Sequence, residues 1–186
     1  MRPSVFLRWI SFGACFWYNE PESGHLSFSV FCLMGEDMVS VLIAQHRELR
    51  RLIGEIQRQA VLATEYAGVI DLQVSFLKKL AGHLKLENDF FYPKIVSGMI
   101  QRAVSKEQQE KTVGFIAKMK DIEAQVLCFF DEYQTPESIA ERKESYLSGL
   151  KEIIAVLMLR IETEEEGVYM LWDFFGDPGG TTTGEA

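Results

Sequence analysis

The chain has 186 residues, 47% of them hydrophobic, which is enough for one domain with a substantial core and short of two. Its 27 acidic and 19 basic residues give a formal charge of -8, and no basic stripe interleaved with aromatics offsets this, so DNA and RNA are excluded as expected partners. Cys15, Cys32 and Cys128 are widely spaced with no Cys-x-x-Cys pair, which excludes a disulfide scaffold or zinc ribbon and points to a cytoplasmic protein.

Residues 1–35 form an N-terminal extension, "MRPSVFLRWISFGACFWY" followed by the turn-rich "NEPESG". Three readings of it stay open: a targeting segment, from its basic start and the small residues before Cys15; upstream sequence with Met34 or Met38 as the working start; or a functional segment that covers one end of the bundle or anchors it to a membrane. Arg8 interrupts the apolar run, and the remainder is too short to span a bilayer, so a membrane partner is not the leading expectation. His25 has no partner in the pattern and is expected to be exposed.

Between residues 22 and 92 proline is absent, and the apolar residues recur at helical spacing. A first helix is predicted from Asp37, an N-cap, to Ala63, with Val39, Leu42, Ile43, Leu49, Ile53 and Ile56 on one face and His46 among them. The second runs from Tyr66 to Ser97, its seam of Val69, Phe76, Leu80, Leu84 and Phe91 including His83 and Glu87, which are four apart and so stack on one side. The third, Lys106 to Tyr133, carries Ile116, Met119, Val126, Phe130 and Tyr133 with Glu123 in mid-stripe. Thr135-Pro136 caps and opens the fourth, which reaches Trp172, its stripe interrupted by Arg160 and Glu164. The closing "GDPGGTTTGEA", residues 176–186, lacks apolar periodicity and is expected to be a disordered tail. Four amphipathic helices joined by short polar connections predict an all-α, antiparallel up-down four-helix bundle over residues 36–175.

An internal repeat relates the ionisable interruptions. His46 precedes His83 by 37 residues and Glu123 precedes Arg160 by the same 37, while "HLKLENDFFYP" returns as "RIETEEEGVYM" with arginine in place of histidine. Two related helical hairpins would place His46, His83, Glu87, Glu123, Arg160 and Glu164 in one layer of the bundle. Buried charges must be paired or hold a metal. With neutral histidines, three carboxylates and one guanidinium leave a charge of about -2, which one divalent cation would balance. Protonating both histidines balances it equally, so charge alone does not decide.

"QHRELRRLIGEI" together with "HLKLENDFFYP" resembles the first half of a hemerythrin-like domain, the HHE cation-binding family. The resemblance implies the hemerythrin-like bundle and makes His46, His83, Glu87 and Glu164 the metal ligands. It also implies non-heme iron as cofactor and a role in sensing or handling O2, NO or oxidative stress, with a small diatomic ligand. The family's second iron relies on histidines where this chain has Glu123 and Arg160. A Glu123–Arg160 salt bridge is therefore expected in the place of a second metal, leaving a mononuclear site. Part of the fourth helix, Arg160-x-x-x-Glu164 with Asp173 beyond, also resembles the bacterial regulator-of-sigma-D type, which implies an alternative: a metal-free regulator acting by protein contact. No nucleophile-base arrangement or phosphate-cradling loop is present, so an enzyme is not expected. Tyr92 and Tyr169 read as packing aromatics, Glu165 and Glu166 as a solvated face, and Cys128 as a buried, inert thiol.

Overall fold

The computed structural model describes residues 37–176, and these form an all-α, hemerythrin-like helical bundle. The N-terminal extension, His25, Cys15, Cys32 and most of the tail lie outside the described residues. Helix α1 spans Met38–Leu62, α2 Ala67–Leu86, α3 Tyr92–Gln101, α4 Lys106–Glu132, α5 Pro136–Glu141, α6 Lys143–Thr163 and α7 Trp172–Phe175.

Three helices, α1, α4 and α5, begin where the sequence supplies an acceptor for their unpaired N–H groups. Asp37 accepts from the Ser40 N–H at 3.2 Å, Ser105 accepts from the Gln108 N–H at 3.3 Å, and Thr135 and Ser138 cap each other reciprocally ahead of Pro136. Helices α1 and α2 pack together, α4 packs on α6, α1 on α6, and α3, which continues α2, packs on α4 to close the ring. At Gly149 on α6, an added Cβ would stand 2.7 Å from Cε2 of Phe129 on α4. A side chain there would hold the two helices apart.

Two expected helices are less regular than predicted. The second runs on to Gln101, passing through a π-helical turn at Glu87–Phe91, and Pro93 falls at the start of α3 where its missing N–H costs little. The fourth breaks at Arg142, whose φ of -128° and ψ of 37° lie outside the helical region, and has a second π turn at Glu164–Val168 and a 3-10 turn at Tyr169–Leu171. Both π turns begin at an acid of the repeat. Cys128 is exposed, against the expectation of a buried thiol. It lies beside the α4 stripe of Val126 and Phe130, on the side facing solvent.

The interior holds two apolar clusters. One contains Leu49, Ile53, Phe76, Leu80, Leu84, Phe130, Leu150, Leu157 and Ile161, and the other Leu42, Phe91, Tyr92, Ile95, Met99, Val168 and Tyr169. On α1 the two are separated at His46, between Leu42 and Leu49. On the other helices the break comes at Glu87 and Glu164. A polar layer is therefore set between two dry ones.

Candidate metal centre

His46, His83, Glu87, Arg160 and Glu164 are all buried in that layer, with exposures of 0 to 4%. Five of the six expected residues thus meet. The sixth, Glu123, is half-buried, and the expected Glu123–Arg160 salt bridge is not formed. Arg160 donates from Nη2 to Glu87 Oε2 at 2.7 Å, from Nε to Glu164 Oε1 at 2.8 Å and from Nη1 to the Met119 carbonyl at 3.1 Å. The physical reason is desolvation: two fully buried carboxylates need a cation more than a half-buried one that water can reach. Burial works against the Arg160 charge, but Glu164 and Glu87 outweigh it and hold its pKa above the ordinary arginine value.

Each π turn starts with the acid and ends just before a tyrosine, five residues on. An unbroken α-helix would splay those two residues well apart around its axis; the wider turn resets the register by one residue. The tyrosines then reach across. Tyr92 donates to Glu164 Oε1 at 2.9 Å, and Tyr169 donates to Glu87 Oε1 at 2.8 Å. The reciprocity is the repeat made visible. For both phenols, burial first and the nearby carboxylates second raise the pKa far above its usual value, so both remain donors. Sequence reasoning took these tyrosines for packing aromatics. Their shared offset from Glu87 and Glu164 was the available signal.

The imidazoles meet beside the same two acids. Nε2 of His46 stands 3.1 Å from Nε2 of His83, 3.2 Å from the Tyr169 oxygen and 3.4 Å from Glu164 Oε2, while His83 Nε2 lies 3.4 Å from Glu87 Oε2. The outer nitrogens have acceptors as partners. His46 Nδ1 donates to Glu165 Oε1 at 2.9 Å, and His83 Nδ1 donates to Gln45 Oε1 at 3.0 Å. Burial, then the neighbouring His46 and Arg160, hold the His83 pKa well below the ordinary value, so that ring is neutral. Glu165 also forms a two-point pair with Arg50, at 2.8 and 3.0 Å. Neither Glu165, which the sequence reading assigned to solvent, nor Gln45 was anticipated.

The donor set passes a chemical test for a cation. With both Nδ1 protons committed outward, the two Nε2 atoms present lone pairs to each other, and Glu164 Oε2 is buried without a hydrogen-bond partner. Ligand atoms of His46, His83, Glu87 and Glu164 all lie within 4.8 Å of one another. Two ligands of one ion stand at most about 4.4 Å apart at bond lengths of about 2.0–2.2 Å, so the cluster is nearly of coordinating size. Burial first, and then Glu164, push the Glu87 carboxyl up to about 8, which is the strain expected of two acids served by one guanidinium.

The sequence model of the hemerythrin HHE cation-binding domain matches residues 37–172. The chain belongs to that family. The match spans the described bundle up to the first residue of α7, and the buried His/Glu cluster in this hemerythrin domain fits a metal-binding module. No curated protein and no solved structure matches the chain. Among the described residues, no helix is long and apolar enough to cross a membrane.

Proposed function

We propose that this hemerythrin domain is a non-heme iron module that holds one metal through His46, His83, Glu87 and Glu164 and senses or handles O2, NO or oxidative stress. One observation carries the reading: four buried acceptor atoms face one another, and one of them, Glu164 Oε2, has no donor. Two imidazoles with two carboxylates, and coordination positions left over, suit iron. Bound iron would supply a redox-active centre able to take a small diatomic molecule. The chain's own residues do the rest. Arg160 supplies a permanent positive charge to Glu87 and Glu164 from the position equivalent to His83 in the repeat, which supports one metal rather than two. Tyr92 and Tyr169 donate to the Oε1 atoms of Glu164 and Glu87, which leaves the Oε2 atoms toward the imidazoles, and the flanking apolar clusters exclude water. The reading is of a binding module rather than an enzyme, and wide cysteine spacing supports a cytoplasmic setting.

Metal analysis and a visible absorption spectrum of protein purified without chelator test this. About one equivalent of iron is expected, lost in His83→Ala. Wild-type protein with no iron, manganese or zinc, or undiminished metal in His83→Ala, would remove the reading. The metal-free regulator is favoured by a single observation, that Arg160 already neutralises one of the two acids without any ion, and the same analysis decides between them.

A further inference from the structure

The two imidazoles of the cluster are held unequally. His83 Nδ1 is backed by the neutral amide of Gln45 at 3.0 Å. His46 Nδ1 is backed by a carboxylate, Glu165, at 2.9 Å, and that carboxylate is itself clamped by both terminal nitrogens of Arg50. Glu165 follows Glu164 directly in the second π turn. The two acids face opposite edges of one ring: Glu164 Oε2 lies 3.4 Å from Nε2 without a hydrogen bond, and Glu165 Oε1 accepts from Nδ1 at 2.9 Å. Arg50 sits one turn after His46 on α1, so ring, acid and guanidinium tie α1 to the π turn. This is not an ordinary surface ion pair. Its carboxylate side chain is only 24% exposed and its third partner, His46, is 0% exposed.

We propose that Glu165, buttressed by Arg50, is a positioning residue that locks His46 in the Nδ1–H tautomer, aims its Nε2 at the cation and makes it the stronger of the two imidazole donors. The inference rests on the reading of the cluster as a metal centre. The reasoning is general. An imidazole whose outer N–H is bonded to a carboxylate is fixed in tautomer and orientation and is more basic at its inner nitrogen, whereas an amide acceptor polarises it less. Loss of such a partner typically weakens metal binding by about 10–100-fold.

Two measurements on the full chain test it. In metal-free protein labelled with 15N-histidine, long-range correlation spectra should report the Nδ1–H tautomer at His46 in the wild type and in E165Q, whose amide oxygen can still accept. E165A should shift His46 toward the Nε2–H form. Cobalt(II) titration against a competing chelator should show E165A weakened by about 10–100-fold, Q45A by less than E165A and E165Q between wild type and E165A. R51A, which removes an exposed pair with Glu48, should leave cobalt affinity unchanged. Because E165Q keeps the shape of the side chain, the comparison survives if E165A fails to fold. Cobalt bound equally by wild type, E165Q and E165A, with one tautomer throughout, overturns the inference alone. Wild-type protein that takes up no cobalt overturns the metal reading, and this inference with it.

Discussion

Replacing Arg160 with methionine removes the only lysine or arginine buried among the described residues while keeping an unbranched side chain that can fill the space. Its three donors then leave Glu87 Oε2, Glu164 Oε1 and the Met119 carbonyl short of a partner. With one positive charge gone, one more carboxylate of the layer has to take up a proton. For a glutamate with an ordinary value of 4.5, this is a gap of 2.5 pH units at pH 7, or about 3 kcal/mol at about 1.4 kcal/mol per unit. Breaking a buried pair by removing one partner typically costs about 3–5 kcal/mol, so the two routes agree. The proton component shrinks with pH and is only about 1 kcal/mol near pH 5.5. Urea unfolding of chelator-treated wild type and R160M at both pH values should therefore give a gap of about 3 kcal/mol at pH 7 and roughly half that or less at pH 5.5. Saturating cobalt(II) should narrow the gap at pH 7, because the ion supplies the missing charge. A gap below about 1 kcal/mol that does not change with pH would refute the role assigned to Arg160.

Glu87 gives a pH signature of opposite origin. Burial and Glu164 raise its pKa to about 8, so the folded chain keeps a proton the unfolded chain has released; its stabilising contribution is complete below about pH 4.5 and is lost as pH rises through 8. Metal-depleted wild type should lose about 2 kcal/mol between pH 6 and 8 by urea titration, and E87Q should not; a flat wild-type profile refutes this. Y169F and Y92F each take one donor from a buried carboxylate and should lower stability by about 1–3 kcal/mol in thermal melts, with no loss in either variant counting against the cross-ties. Gly149→Ala should destabilise by about 1–3 kcal/mol, since Phe129 is held between Tyr146, Tyr133 and Phe130 and cannot step aside. Gly114→Ala meets open space and should stabilise by up to about 1 kcal/mol, and equal effects at the two positions would contradict the packing described.

The helices were legible because each is amphipathic over many turns, and two of them begin at caps the sequence marks, Asp37 and Thr135; the Ser105 cap and the uncapped start at Tyr66 carried no such mark. The layer of His46, His83, Glu87, Arg160 and Glu164 was legible for a related reason: ionisable groups on an apolar stripe are costly, and a 37-residue repeat put them at one height. The partner of Arg160 was not legible. Periodicity places a residue on a face but does not say how far a long side chain reaches, and Arg160 reaches along its own helix to Glu164 and across to Glu87 rather than sideways to Glu123. The π turns escaped because no composition rule marks an extra residue in a helix. Without them the shared offset of five from acid to tyrosine marked a repeat but not a contact, and Glu165 read as solvated rather than as a partner of His46.

The repeat also explains why two similar half-sites can serve different ends. Both halves supply an acid at the head of a π turn and a tyrosine that reaches to the other acid, so Glu87 and Glu164 sit in matching frames. The first half adds His83, whose Nε2 lies 3.1 Å from that of His46, and the second adds Arg160 at the equivalent position, which bonds to both acids. The guanidinium and the His83 ring face the same oxygen, Glu87 Oε2, and the Arg160 charge helps to hold the His83 pKa down. Had histidine stood at 160 as it does at 83, the fold would have two uncompensated acids at its centre. The arginine makes one of the two charges part of the chain, leaving the bundle only one acid short of balance before any ion arrives.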